Sequence, residues 1–163
     1  MKLTKGFEQS ACIITLLATQ QQSTPVTSHA INRRLHGSPT YLRKLIRKLV
    51  VSGLVVSVSG NNGGFALSRP PEQITLCDIV EAVEGRIETY PASGLINQVF
   101  KEMKTGAEQI IKKVFADADS MWRNVLLSKN VLSLIQETIG KKELPQIDWN
   151  EFSDEKPHLF SKF

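Results

Sequence analysis

Apolar residues fall at helical spacing from the start of the chain. Phe7, Ala11, Ile14 and Leu17/Ala18 share one face, which predicts an amphipathic helix from Gly6 to about Thr19. The polar stretch Gln20-Gln21-Gln22-Ser23-Thr24-Pro25 ends it, and Val26 reads as a short extended link. Thr27 is placed to cap a second short helix, Ser28 to Leu35, with Ala30, Ile31 and Leu35 facing inward. His36-Gly37 breaks the chain, and Ser38-Pro39 restarts it with a capping hydroxyl followed by proline in the first turn. A third helix then runs to about Val51, with Gly53 closing it. Two helices joined by so short a turn form a helix-turn-helix pattern.

The period changes next. Leu54-Val55-Val56-Ser57-Val58 is a β-branched run, and Phe65-Ala66-Leu67 follows the loop Ser59-Gly60-Asn61-Asn62-Gly63-Gly64, which predicts a β-hairpin. After Arg69-Pro70-Pro71, a fourth helix from Thr75 to about Glu84 carries Leu76, Ile79, Val80 and Val83 on one stripe, and Gly85 ends it. Ile87 to Pro91 reads as an irregular linker. A long series follows: Ile96, Phe100, Met103, Ala107, Ile110, Val114, Ala118, Met121 and Val125, with gaps mostly alternating between four and three. That spacing is the signature of a seam between paired helices, favoured over packing on the chain's own domain because one small wing domain offers little surface for so long a stripe. Gly106 marks the place for a kink or interruption. Val131 to Ile139 forms a last short helix, and Lys141 to Phe163 an irregular tail whose aromatics anchor either on the body or on a partner.

The pattern therefore predicts a mainly α fold with a small β-hairpin. It divides into a winged helix-turn-helix DNA-binding domain over residues 1–88, a helical dimerisation region over 89–140 built on a long C-terminal helix, and a tail over 141–163. No apolar run approaches the roughly 20 residues needed to span a membrane. The N-terminus lacks the features of a signal peptide, so the expected compartment is the cytoplasm.

Charge sharpens this picture. The chain has 163 residues and a net charge of +4, but the sign is unevenly spread. Residues 1–70 carry nine Lys/Arg against the single acidic residue Glu8, whereas residues 71–163 carry eleven against fifteen Asp/Glu. A basic first half calls for an anionic partner. The third helix locates the demand: Leu42, Leu45, Ile46 and Leu49 lie on one side, Thr40, Arg43, Lys44 and Arg47 on the other, with Lys48 at the edge and no acidic residue anywhere. A helix kept soluble for its own sake normally mixes Glu with Lys for i,i+4 pairs. A DNA major groove accepts one such helix. Ser38, Thr40, Tyr41, Arg43 and Lys44 are expected nearest the bases, and Arg47 and Lys48 at phosphates. Asn61 and Asn62 at the hairpin tip either reach a minor groove or serve only to accept left-handed backbone. Arg33 and Arg34 either touch phosphate or favour the C-terminus of the second helix.

Catalytic chemistry has little to stand on. His29, His36 and His158 are scattered, and the Gly60–Gly64 loop lacks the lysine and following helix of a phosphate-binding loop. No enzyme, cofactor or metal site is expected. Cys12 and Cys77 are each read as a small buried hydrophobe, with a redox-sensing thiol as the alternative.

The run Tyr41-Leu-Arg-Lys-Leu-Ile-Arg-Lys-Leu49, followed by Gly53-Leu54-Val55 and Gly63-Gly64-Phe65-Ala66-Leu67, resembles the Rrf2 family of bacterial regulators. Ile74-Thr75-Leu76, Asp78-Ile79 and Ala82-Val83-Glu84, with the opening Leu3-Thr4-Lys5-Gly6-Phe7, extend the resemblance over roughly residues 1–85. It implies a dimeric winged-helix repressor or activator, its recognition helix in the major groove, its wing in the minor groove and its dimer formed through the long helix. Two departures stand out. Many members carry three cysteines after the fourth helix, ligating an iron–sulfur cluster, and here that region reads Tyr90-Pro91-Ala92-Ser93-Gly94-Leu95. The wing often bears an arginine before its first glycine, where this chain has Ser59. The expectation is a cluster-free homodimeric repressor on a pseudo-palindromic double-stranded operator, with a small-molecule effector left open. The alternatives are a winged-helix protein-interaction module and a thiol-based redox sensor.

Overall fold

The computed structural model describes residues 2–21, 24–60, 62–101 and 106–151. Helix α1 (Lys5–Ala18) starts at Thr4, whose side chain accepts from the Gly6 amide. Helix α2 (Ser28–Leu35) starts at Thr27, which accepts from the Ala30 amide, and ends at His36 in the left-handed region with φ 47°. Both caps satisfy an amide that has no partner inside its own helix. Helix α3 (Pro39–Val51) has proline in its first turn, but the Ser38 hydroxyl makes no capping bond. Ser38 thus marks the start of the helix without stapling it.

Strands β1 (Val55–Val58) and β2 (Gly64–Leu67) pair antiparallel, with Val55 opposite Leu67 and Val58 opposite Gly64. The hairpin grows directly out of α3, since the Leu54 amide donates to Leu49 O at 2.9 Å. Val26 lies along β2 and exchanges both backbone hydrogen bonds with Phe65, each 2.9 Å long. A short 3-10 turn (Pro71–Gln73) leads to helix α4 (Leu76–Glu84), which begins with a complete capping box between Thr75 and Asp78.

One apolar core joins these pieces. Ile13 and Ile14 of α1, Ile31 of α2, Leu42 and Leu49 of α3, Leu54 and Ile74 are all sealed from solvent. Helix α7 (Val131–Ile139) closes the side of α1 through Val131 and Ile135, and the segment after it adds Ile147 and Trp149 to the same cluster.

The apolar series after residue 95 does not form one continuous helix. Helix α5 (Leu95–Val99) is a single short turn, and helix α6 (Ala107–Leu127) begins after Gly106. Helix α5 is already closed at Phe100, and Gly106 stands at the N-cap of α6. Met103, which belongs to that series, lies outside the described residues. So does Asn61, while its neighbour Asn62 is exposed. The tail, expected to be irregular, contributes an anchored strap. Ile147 forms a bridge with Gln20, and the Trp149 indole Nε1 donates to the Thr19 hydroxyl at 3.0 Å. Trp149 is thus a body anchor; residues 152–163 lie outside the described part.

Gly64 is a point of close approach between the wing and the rest of the fold. A Cβ there would sit 2.4 Å from the Val26 carbonyl oxygen and 2.7 Å from its carbon, both backbone atoms that cannot swing away. Gly64→Ala is therefore expected to destabilise the fold by about 2 kcal/mol or more, the range of steric insults at tight backbone contacts. Urea denaturation checks this: the midpoint should fall with the slope unchanged. An unaltered midpoint would mean that the wing is not held on Val26.

Candidate nucleic-acid interface

Helix α3 presents the predicted two faces. Leu42, Leu45, Ile46 and Leu49 are buried, whereas Ser38, Pro39, Thr40, Arg43, Lys44 and Arg47 are exposed. Burial of the apolar side against α1 and α4 leaves the cationic side no freedom to turn inward. The wing lies next in sequence to the C-terminus of this helix, with Ser57, Val58, Ser59, Gly60 and Asn62 exposed along it.

Not every predicted contact residue is equally available. The Lys48 ammonium donates to the Val83 carbonyl at 2.5 Å, at the C-terminal end of α4. There it satisfies a carbonyl that has no helical partner and meets the negative end of the helix dipole. Lys48 therefore ties α3 to α4 and is not aimed outward at phosphate as expected. Tyr41 is 42% exposed, yet its hydroxyl leans over the first turn of α1: a methyl group on Gly6 would lie 2.9 Å from it. Arg33 donates through Nη2 to Trp149 O and Asn150 O, and the Arg34 guanidinium lies 5.2 Å above the Trp149 ring. These two arginines meet the strap after α7, a use the sequence did not suggest. Arg43, Lys44 and Arg47 remain as the exposed cationic triplet of α3.

The loop between α4 and α6 faces a cleft of about 720 Å³ lined by charged side chains including Glu81, Arg86, Glu88, Asp119 and Arg123. Arg123 pairs with Glu81 at 3.0 Å. The loop is fastened by carboxylates of α6. Asp119 accepts from the Thr89 amide and hydroxyl, while Glu108, almost fully buried, accepts from the Gly94 amide and from the Asn97 side chain. Among the described residues no three His, Cys, Asp or Glu side chains are grouped to hold a metal ion.

The chain matches the family model Rrf2, described as iron-dependent transcriptional regulator, over residues 3–137. The chain belongs to the Rrf2 family. Relatives of similar length extend the match. An HTH-type transcriptional regulator of Bacillus subtilis, YwgB, is 37% identical over 149 residues, covering 91% of this chain and 93% of the relative. The corresponding protein YffB of Lactococcus lactis is 31% identical, covering 95% and 99%. Among solved structures, CymR (YrzC), described as the global cysteine regulator of B. subtilis, superposes with TM-score 0.62 at 25% identity over 82% of this chain and 95% of that one. IscR of T. potens gives 0.61 at 25% identity, covering 85% and 88%. This Rrf2 chain is accordingly a winged-helix, DNA-binding transcriptional regulator. None of its helices among the described residues is long and apolar enough to cross a membrane.

The iron–sulfur donor set does not fit this Rrf2 chain. Such clusters are held chiefly by thiolates, and the loop after α4 supplies none. Cys77 is fully buried beside Val80 and Ile87 as expected, whereas Cys12, also expected to be buried, is exposed on α1 at the edge of an apolar groove against α7. Both thiols are pushed up from their ordinary pKa: Cys12 by partial burial and then by Glu8, Cys77 by burial and then by Glu81, with Arg123 opposing. A raised pKa lowers the thiolate fraction at neutral pH, and the thiolate is the reactive form. Alkylation by iodoacetamide should therefore be slower at Cys12 than at free cysteine at pH 7 and keep climbing past pH 9. Cys77 should react only on unfolding. A Cys12 rate at pH 7 matching or exceeding that of free cysteine would contradict this arrangement.

Proposed function

We propose that the protein is a homodimeric transcriptional repressor that reads a pseudo-palindromic operator and works without an iron–sulfur cluster. The observation that carries the reading is the exposed face of α3, where Arg43, Lys44 and Arg47 stand without an acidic neighbour on the helix beside a projecting wing. Phosphate and guanine edges are the partners such a face lacks. Ser38, Thr40, Arg43 and Lys44 take the base-reading positions, Arg47 meets phosphate, and Asn62 marks the wing tip. Tyr41 assists by bracing α3 on α1.

The dimer is supported by α6. Ile110, Val114, Met121 and Val125 are exposed by 66%, 61%, 71% and 64%, and Ala118 continues their stripe. Exposed apolar residues at spacings of four, four, three and four suit a matching helix of a second copy. A twofold dimer carries two recognition helices into half-sites about 34 Å apart. Occupancy of the operator by such a dimer suffices for repression, in the cytoplasm where bacterial DNA lies. The loop after α4 carries no cysteine, which supports the cluster-free part of the reading.

The test is fluorescence anisotropy of metal-free protein on its own upstream DNA and on random DNA across a salt series. Specific, salt-sensitive binding is expected. Replacing Arg43 and Lys44 by Ala should weaken operator binding by at least about tenfold. Arg47→Ala should instead flatten the log–log salt slope by about 1.8, at roughly 0.9 for each of the two phosphates, one per protomer, no longer neutralised. Lys48→Met should leave that slope in place. Val114→Lys with Met121→Lys should halve the mass in sedimentation. Equal, weak binding of wild-type protein to both DNAs would favour a protein-interaction module instead.

A further inference from the structure

The segment Pro25–Thr27 joins three parts of the molecule. Its own chain leads into α2, the first helix of the helix-turn-helix. On one edge Val26 exchanges two backbone hydrogen bonds with Phe65 of the wing. On the other edge the Asn150 side chain spans the residues flanking Val26: Oδ1 accepts from the Thr27 amide at 2.9 Å, and Nδ2 donates to the Pro25 carbonyl at 3.0 Å. One carboxamide thus mimics a backbone neighbour, donating and accepting as a further strand would.

Asn150 is itself held in place. Its amide donates to Asp148 Oδ1 at 3.0 Å, and its carbonyl and that of Trp149 accept from Arg33 of α2. The Trp149 amide donates to Gln20 Oε1 and its indole to Thr19, both at 3.0 Å at the end of α1. Strap, α1 end and α2 therefore close a ring of hydrogen bonds around the entry to the helix-turn-helix. The wing and α2 share a single support, and Asn150 grips it from more than 120 residues away in sequence.

We infer that Asn150 is a positioning residue for DNA reading: its carboxamide fixes Pro25–Thr27, and with it the placement of α2 and α3 relative to the wing. This rests on the operator-reading proposal for its consequence at DNA, though its structural half does not. Asn150 does not touch DNA in this scheme, and every cation facing phosphate is left as it is. Loss of the carboxamide should blur the relative placement of two DNA-binding elements without weakening the electrostatic attraction. Specific binding then suffers and non-specific binding does not.

Two variants separate positioning from mere stability. Asn150→Ala removes both bonds to Pro25 and Thr27. Trp149→Phe removes the indole bond to Thr19 and shrinks the buried ring beneath Arg34, but leaves the Asn150 carboxamide unaltered. Two readouts are taken at a temperature where circular dichroism shows both variants folded. In hydrogen exchange without DNA, Asn150→Ala should lower protection of the Val26 and Phe65 amides by about tenfold, and Trp149→Phe should leave it near wild type. On DNA, Asn150→Ala should lower operator affinity by about tenfold, with random-DNA affinity and salt slope unchanged.

Unchanged protection at Val26 and Phe65 in Asn150→Ala overturns the inference. So does an equal loss on operator and random DNA, or the same loss in Trp149→Phe. If wild-type protein shows no preference for its upstream DNA, the operator reading fails on its own, and the exchange result still decides whether Asn150 holds the wing and α2 together.

Discussion

Everything the molecule can do to DNA depends on how α3 is buried. Its apolar side, Leu42, Leu45, Ile46 and Leu49, meets Ile13 and Ile14 of α1 and the stripe of α4 in one core. Each such side chain removed from water contributes about 1.5–3 kcal/mol, so rotating the helix by even a quarter turn would cost more than a surface cation could return. The cations are therefore presented by the packing beneath them. Lys48 and Tyr41 reinforce the same constraint from the rim, one by its bond to Val83 O and the other by resting on the Gly6 turn. On the proposed reading such a face is set by packing before DNA arrives, which lowers the ordering cost of binding.

Most of this was legible in the sequence because it is written locally. Thr27 before Ser28 announces a cap through the atoms it carries, and that cap forms; Thr75, read only as the start of the fourth helix, is its cap and closes a capping box with Asp78. The 3.6-residue period of α3 and the β-branched run before a Gly/Asn loop depend only on near neighbours. Gly106 likewise marks the start of α6, although α5 is already closed at Phe100. Ser38 shows the limit of such reasoning, for it holds the cap position without making the bond. Lys48 shows it again: helical periodicity assigns a side chain to a face, but a long flexible stem at the edge goes to whichever acceptor lies nearest. The acceptor here belongs to Val83, 35 residues away.

The strap was illegible for a related reason. Ile147, Trp149 and Asn150 have no period and sit among charges and prolines, so nothing in their neighbourhood predicts that they join the core. Their contacts are long-range and made one at a time, with Thr19, Gln20, Pro25, Thr27 and Arg33. The sequence marked Trp149 as an aromatic that would anchor somewhere, and the fold shows where. It also gives Arg33 and Arg34 a use that a count of positive charge cannot distinguish from phosphate binding.

The loop after α4 shows how one family scaffold can be kept ordered by different chemistry. Where Rrf2 relatives with three cysteines could use metal–thiolate bonds to order this stretch, this chain uses carboxylates of α6. Glu108 and Asp119 each accept two hydrogen bonds from the loop, three of the four donors lying at Thr89 and Gly94. Hydrogen bonds to a charged acceptor contribute about 1.5–3 kcal/mol each, and Glu108 is buried deeply enough that its partners are needed to offset desolvation. These hydrogen bonds fasten the loop to α6 without metal–thiolate bonds. On the proposed cluster-free reading, a signal reaches this regulator by a route other than a metal–thiolate site at this loop.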